Sequence, residues 1–172
     1  MAWKGVDGDS SIWWARREAG VWSSQRNVVG VGTSDSPALA EVGGRLYMFW
    51  KGVGDDPRIY YSSRSEADPA WQPQRNLVYA ETESGGGVFV QVGTSAGPSL
   101  AVSGTRLLVA WKGAADDQGI YFSFFDGTEF TGQIGMEGVG TSQGPAICEL
   151  DGTLHMVWKG VEGDNSMWWS RL

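Results

Sequence analysis

The sequence predicts an all-β fold built from one repeated unit, and three observations carry this prediction. A Trp-Lys-Gly triplet occurs four times in the chain of 172 residues, at spacings of 47, 61 and 47 residues. A polar turn and then two adjacent aromatic residues follow each triplet. The chain carries no convincing helical period with capping residues. A repeat of this length is typical of a solenoid, a propeller or an array. The triplets begin at Trp3, Trp50, Trp111 and Trp158.

The four copies agree beyond the triplet, to a degree that chance does not produce. Each Trp is followed six residues later by an acid and nine residues later by an aliphatic residue or Met. Thr-Ser stands 17 residues before each of the last three Trp residues. We therefore treat the chain as one domain of four repeat units, 1–32, 33–93, 94–140 and 141–172. The Thr-Ser pairs are Thr33-Ser34, Thr94-Ser95 and Thr141-Ser142, and the aliphatic positions are Ile12, Ile59, Ile120 and Met167.

Each full unit is predicted to contain four short strands. The first strand follows the Thr-Ser pair and is rich in small residues, which suits a strand crowded near a central axis. A two-residue turn comes next, and Asp-Gly is a strong hairpin signal at that place. The first strands begin at Pro37, Pro98 and Pro145, and the turns are Gly43-Gly44, Ser103-Gly104 and Asp151-Gly152.

The second strand, Leu46 to Lys51 in the best copy, is apolar on both faces. Such a strand is buried on both faces, which favours a sheet held between two neighbouring sheets. The third strand carries the aromatic pair, and the fourth begins near Trp22, Trp71 or Phe130. Four-stranded antiparallel units of about 47 residues, rich in Trp, are typical of β-propeller blades. The Trp of each triplet is then predicted to lie in the core between blades.

Two irregularities break the repeat. The longer second spacing arises mainly from a segment around residues 77–90, which we expect to form a hairpin extension on a blade edge. A tolerated surface insertion is the favoured interpretation, and a lid or a partner contact is the alternative. The first unit lacks its first strand and the last lacks its fourth. We expect either a slightly irregular four-bladed propeller in one chain, or a ring completed by association of copies or cut from a longer parent.

Composition excludes several classes of function. The formal net charge of −7 argues against nucleic acid or an anionic membrane surface as the main partner, because both require concentrated positive charge. No apolar run approaches the roughly 20 residues that a membrane span needs. The start of the chain, residues 1–5, does not resemble a signal peptide, and the compartment stays open.

The sequence offers little for catalysis. Cys148 is the single cysteine and His155 the single histidine, and we expect a buried thiol and a packing position respectively. No nucleophile elbow, phosphate loop or zinc pattern occurs, so we expect neither catalysis nor a cofactor. The acid pairs Asp55-Asp56 and Asp116-Asp117 lie in turns. They would serve a glycosidase only if the fold set two carboxylates about 5 to 9.5 Å apart across a cleft.

A polar and aromatic set recurs in every unit and is the candidate binding site. A charged donor, an acceptor and a flat aromatic ring are the groups that a sugar site uses, because hydroxyls need fixed partners and a pyranose face lies well on a ring. The alternative is that the Lys and the Asp form a structural pair across the turn. The set comprises Lys4, Asp9 and Trp13; Lys51, Asp56 and Tyr60; Lys112, Asp117 and Tyr121; and Lys159, Asp164 and Trp168.

The blade pattern resembles that of bacterial and fungal propeller lectins, in the general company of tachylectin and tectonin. The resemblance spans the whole chain and rests on the repeat length and four motifs. It implies one shallow site per blade or between blades, for fucose, N-acetylglucosamine or methylated sugars. Because the position of the site differs among such lectins, no family site residue is carried over. The motifs are Thr33 to Ala40, Leu46 to Gly52, Ile59 to Ser62 and Trp71 to Gln74.

We therefore expect a multivalent carbohydrate-binding protein, since several weak sites on one glycan surface gain about 10² to 10⁴ in avidity. Glycans would be the partners, and a homo-oligomer would complete the unfinished blades. The alternatives are a structural or protein-interaction propeller, an engineered or excised piece of a propeller, and a propeller glycosidase.

Overall fold

The computed structural model describes residues 1–83 and 86–172. This part of the chain forms strands, turns and loops without a helix, so the predicted all-β class is confirmed. It accordingly contains no helix that is long and apolar enough to cross a membrane. The strands are β1 (Ala2–Lys4), β2 (Ser11–Trp14), β3 (Arg17–Glu18), β4 (Val21–Trp22), β5 (Arg26–Gly32), β6 (Ala38–Val42), β7 (Arg45–Lys51), β8 (Ile59–Ser65), β9 (Arg75–Asn76), β10 (Val78–Glu83), β11 (Gly86–Gln91), β12 (Ser99–Ser103), β13 (Arg106–Lys112), β14 (Gly119–Phe125), β15 (Ile134–Gly140), β16 (Ala146–Leu150), β17 (Thr153–Lys159) and β18 (Met167–Arg171).

Most of these strands form four antiparallel sheets, one for each repeat unit. Sheet 1 has the order β1-β2-β5, sheet 2 β6-β7-β8-β9, sheet 3 β12-β13-β14-β15 and sheet 4 β16-β17-β18. Within the described residues the predicted strand numbers of three, four, four and three are therefore confirmed. The fourth strands begin a few residues after Trp22, Trp71 and Phe130.

The hairpin turns between the first and second strands are confirmed. Gly43 and Gly44 have φ of 60° and 73°, and Asp151 and Gly152 have φ of 50° and 77°. Two successive residues in the left-handed region are what a type I′ turn requires, and this turn matches the twist of the flanking strands.

The extra segment of the second unit forms a hairpin of β10 and β11, paired from Val78 with Gln91 to Glu83 with Gly86. The hairpin extension is therefore confirmed for these strands, and its expected Gly-rich turn at residues 84–85 lies outside the described residues. Leu77 and Tyr79, at the base, are buried between sheets 2 and 3. The hairpin is thus anchored in the core.

Successive sheets pack face to face through three apolar clusters. We call the face of a sheet that is turned towards the next sheet in chain order its forward face, and the opposite one its back face. On β7, Met48 and Trp50 lie in the cluster with sheet 1, whereas Tyr47 and Phe49 lie in the cluster with sheet 3. Strand β7 is therefore buried on both faces, as predicted from its sequence.

The triplet Trp occupies the back face in each of the last three sheets. Trp50 packs towards sheet 1, Trp111 towards sheet 2 and Trp158 towards sheet 3, and all are buried. Their predicted place in the core is confirmed. Trp3 is only half-buried, because no other sheet of the described residues packs on the back face of sheet 1, where it lies.

The first strands of sheets 2, 3 and 4 lie side by side, with β12 between β6 and β16. The backbone approaches closely at the entry to these strands. A Cβ atom on Gly97 would lie 2.5 Å from the Ser36 carbonyl oxygen, and one on Gly144 would lie 2.6 Å from the Gly97 carbonyl oxygen. Only glycine fits there, and the small residues predicted for this crowded region serve the same purpose.

The prediction that Cys148 is a buried thiol is wrong, because its side chain is exposed. It lies on β16 opposite His155, on the forward face of sheet 4. The equivalent residues Ala40 and Ala101 contact the following sheet. Among the described residues no sheet follows sheet 4, so the same sequence position is open to solvent.

Candidate functional site

The turn that follows each of the last three triplets is closed around the lysine ammonium. Lys51 Nζ donates to the Ser34 hydroxyl at 2.9 Å and to the carbonyl oxygens of Gly54 and Asp56 at 2.6 and 3.2 Å. The side chain is only 7% exposed. A buried ammonium requires such oxygens, because it has lost its water. The lysine thus ties the turn to the Thr-Ser pair 17 residues earlier. Lys112 repeats the arrangement with Ser95, Ala115 and Asp117, and Lys159 with Ser142 and Asp164.

The aspartate of each set binds the aromatic residue that follows it by four positions. The Tyr60 hydroxyl donates to Asp56 Oδ2 at 2.9 Å, and the Trp13 indole nitrogen donates to Asp9 Oδ2 at 2.8 Å. Tyr and Trp differ in shape but share a donor that reaches the same oxygen. This explains why the first aromatic of each pair is always Tyr or Trp, whereas the second can be Phe122. The remaining bonds join Tyr121 to Asp117 and Trp168 to Asp164.

The glycine of the triplet makes room for this carboxylate. A Cβ atom on Gly52 would lie 2.5 Å from Asp56 Cγ, closer than non-bonded carbon atoms approach. Each residue of the triplet therefore plays a structural role, since the Trp fills the core, the Lys anchors the turn and the Gly admits the Asp side chain. The same conflict would arise at Gly5, Gly113 and Gly160 with Asp9, Asp117 and Asp164.

Local hydrogen bonds favour the ionised form of Asp9, Asp56 and Asp164 and lower the pKa of each carboxyl. The Arg58 guanidinium donates to both carboxylate oxygens of Asp56 at 2.8 Å, and this lowers the pKa of Asp56 to about 2. Hydrogen bonds from Ser11 and Trp13 likewise lower the pKa of Asp9. Burial raises the pKa of Tyr60, and the hydrogen bond to Asp56 raises it further. The neutral phenol therefore stays a donor over the physiological range.

The aromatic ring of the set also covers the triplet Trp. The Trp50 and Tyr60 rings stack at 6.2 Å between centroids with an interplanar angle of 19°, and Trp111 and Tyr121 stack at 6.4 Å and 26°. The structure thus gathers the twelve predicted site residues into four local clusters, one per unit. Within each cluster the Lys and the Asp bond to groups of their own turn, and among the described residues no ion pair joins the two side chains. A ligand contact by the set stays a prediction.

A cleft between sheets 1 and 2 contains groups that sequence reasoning missed as a site. The Trp14 and Trp71 rings meet edge to face at 6.2 Å between centroids. The Arg64 guanidinium carbon lies 4.6 Å from the Trp14 ring centroid and 5.9 Å from that of Trp71. Two cavities of about 540 and 1140 Å³ adjoin this group, and both are lined by Trp14, Pro69 and Trp71.

The polar lining of the cleft is mixed in charge. Arg16, Glu41 and Glu66 line the larger cavity, and Asn27 and Gln74 line the smaller one. Such a lining offers both hydrogen-bond donors and acceptors at the rim of an aromatic surface. The buried Trp71 Nε1 finds no acceptor among the described residues, which leaves one N–H to be satisfied by water or a ligand.

A second cleft occupies the equivalent place between sheets 2 and 3, and its cavity of about 460 Å³ is lined by Tyr61, Gln72 and Arg75 among others. The position of Arg64 is taken in unit 3 by Phe125, which is buried and stacks on Phe130 with 4.3 Å between ring centroids. The two clefts are thus related by the repeat but differ in chemistry. The sequence did contain a sign of this cleft, because the charged Arg64 of unit 2 stands at the position that Phe125 occupies in unit 3.

The described residues hold no group of three or more His, Cys, Asp or Glu side chains placed to bind a metal ion. In comparisons with known proteins, no family model matches the chain and no curated protein matches its sequence. The resemblance to propeller lectins therefore stays a prediction from the blade motifs.

Proposed function

We propose that this protein is a non-catalytic, multivalent carbohydrate-binding protein whose four sheets are blades of a β-propeller. Two features support the propeller. Sheets 1 to 4 pack face to face in chain order through similar apolar clusters, and the first strands β6, β12 and β16 lie side by side. Radial packing of four-stranded antiparallel sheets around their first strands defines that architecture.

The cleft of Trp14, Arg64 and Trp71 is the observation that carries the binding proposal. Indole rings offer the apolar surface on which the C–H face of a pyranose packs, and a guanidinium offers several donors to its hydroxyls. Among the described residues the Arg64 guanidinium makes no ion pair, and the two indole rings hold it in place. The larger cavity, which Arg64 lines together with both indole rings, has a volume of about 1140 Å³, near the upper end of the range of small-ligand pockets.

Repetition of the cleft supports multivalency. The cleft between sheets 2 and 3 presents Tyr61, Gln72 and Arg75, so one chain offers at least two related but unequal sites. A shallow site with one or two stacking rings binds weakly, and simultaneous engagement of several sites by one glycan multiplies the affinity. From the resemblance, the sugars to try first are fucose and N-acetylglucosamine.

Isothermal titration calorimetry with fucose, N-acetylglucosamine and a mixed glycan panel tests the proposal. We expect one of these sugars to bind with a Kd of about 0.1 to 1 mM, and Arg64→Met to weaken it about tenfold. Arg106→Met is the matched control, because Arg106 lies 4.5 Å above the Phe124 ring outside this cleft. Failure of every sugar to bind, or equal affinity of the wild type and Arg64→Met, would overturn the proposal.

A further inference from the structure

Both ends of the row of sheets carry an open face. We propose that the forward face of sheet 4 binds the back face of sheet 1 in a second copy of this chain, so that copies associate head to tail. This inference does not depend on sugar binding. It rests on a comparison of equivalent positions of the repeat, which are buried between sheets 2 and 3 but exposed on the outer faces of sheets 1 and 4.

The forward face of sheet 4 is apolar and open to solvent. Val157 is 40% exposed, Met167 67% and Trp169 65%, and the side chains of Cys148 and Leu150 lie exposed on the same face. Soluble monomers rarely expose a contiguous apolar patch of this kind, and such a patch marks an interaction surface.

The same positions are buried wherever another sheet follows. Val157 corresponds to Phe49 and Met167 to Ile59, and both equivalents are fully buried against sheet 3. Trp169 corresponds to Tyr61, which is buried in the same cluster. The forward face of sheet 4 therefore carries apolar residues at the positions that contact the following sheet elsewhere in the repeat.

Unit 1 carries a complementary position on the short hairpin of β3 and β4. In the sheet 2–3 interface, the ring of Phe130 lies 6.1 Å from that of Phe49 and 5.4 Å from that of Tyr61 between centroids. Trp22 is the equivalent of Phe130 in the first unit, and it is 48% exposed. An interface that continued the existing packing would bring Trp22 of one copy against Val157 and Trp169 of another.

The packing between sheets within the chain indicates both the partner and the orientation, because a second copy supplies the same back face that each forward face contacts inside the chain. A forward face meets a back face at each of the three interfaces within the chain, so the contact between copies joins two different surfaces. Such heterologous contacts give a ring when the rotation closes and a filament when it does not. Two forward faces packed on each other would place Trp169 against Trp169, whereas every interface between sheets of the described residues joins a forward face to a back face.

Native mass spectrometry of the full chain at about 50 μM tests the association. We expect a defined oligomer for the wild type and at least about tenfold weaker association for Trp169→Glu, since buried aromatic anchors dominate such interfaces. Val29→Glu is the matched control, because Val29 is exposed and its equivalent in unit 3 is already Glu137. A monomeric wild type, or an oligomer unchanged by Trp169→Glu, would overturn the proposal.

A mixing experiment tests the orientation. Trp169→Glu blocks the forward face and Trp22→Glu blocks the back face, so each variant alone should be monomeric while their mixture forms a heterodimer. Persistent oligomers of Trp22→Glu alone would show a forward-to-forward contact and contradict the proposal. Cys148 supplies an independent readout: its alkylation should be slow in the wild-type oligomer and about tenfold faster in Trp169→Glu.

Discussion

The ammonium of Lys51 donates a hydrogen bond of 2.9 Å to the hydroxyl of Ser34, 17 residues earlier in the chain. The same hydroxyl donates to the Gly52 carbonyl oxygen at 2.8 Å. The Thr-Ser pair and the Trp-Lys-Gly triplet, which look like separate motifs in the sequence, are thus two parts of one hydrogen-bonded corner. Their constant spacing follows from the two strands and the turn that lie between them.

Replacement of Lys112 by Met should lower the free energy of unfolding by about 2 to 4 kcal/mol, because it removes a charged donor from several buried oxygens. Urea unfolding followed by Trp fluorescence measures this loss. Lys4→Met is the control, since Lys4 lies half-buried and among the described residues bonds only the Gly5 carbonyl oxygen. An equal loss in the two variants would argue against the corner as the source of the stability.

Replacement of Gly52 by Ala should destabilise the protein by about 1 to 3 kcal/mol, because the added Cβ atom collides with the Asp56 carboxyl. In an Asp56→Gly background the collision is absent, because the Asp56 Cβ atom at 2.7 Å is removed with the carboxyl, and Gly52→Ala should then cost less than about 1 kcal/mol. The four urea midpoints of this double-mutant cycle give the coupling energy. A coupling energy near zero would contradict the assignment.

Acid should weaken the fold through Asp56. Because the folded pKa of about 2 lies below that of an unfolded aspartate, the carboxyl stabilises the protein fully above about pH 4. This contribution is lost as the pH falls through about 2. Since the side chain is 22% exposed, solvent screening reduces the effect to about 1 kcal/mol.

Comparison of urea unfolding at about pH 6 and about pH 2 checks this expectation. The Asp56→Asn variant should lose less stability between the two conditions than the wild type. Arg58→Met, which removes the guanidinium that lowers the pKa of Asp56, should reduce the loss in the same way, and equal losses in the wild type and Asp56→Asn would contradict the expectation.

Replacement of Arg64 by Phe, the residue at the equivalent position of unit 3, should abolish sugar binding while it increases the stability of the protein. In Arg64→Phe, the new ring would pack against Trp14 and Trp71 as Phe125 packs on Phe130, which should stabilise the protein by about 0.5 to 1.5 kcal/mol. Sugar binding in that cleft should disappear. Calorimetry and thermal unfolding of the same sample measure both effects, and loss of stability together with retained binding would refute the expectation.

Sequence reasoning predicted the features that depend on neighbours within one unit. The number of strands in each unit, the two-residue turn at Gly43-Gly44 and the core position of Trp50 follow from period and turn chemistry. The prediction for Cys148 was wrong because its burial depends on whether a further sheet follows, which the residues around it do not encode. The cleft at Arg64 was missed because two units supply its walls.

The bond between Tyr60 and Asp56 spans four residues, and the lysine corner spans 17. Nearly everything that shapes a hairpin therefore lies inside the stretch of gene that encodes it. A duplicated stretch of this kind contains the hydrogen bonds that stabilise its own hairpin, so a new copy is able to fold beside the old one without changes elsewhere. Growth and loss of whole units then become accessible single steps in the evolution of such a chain.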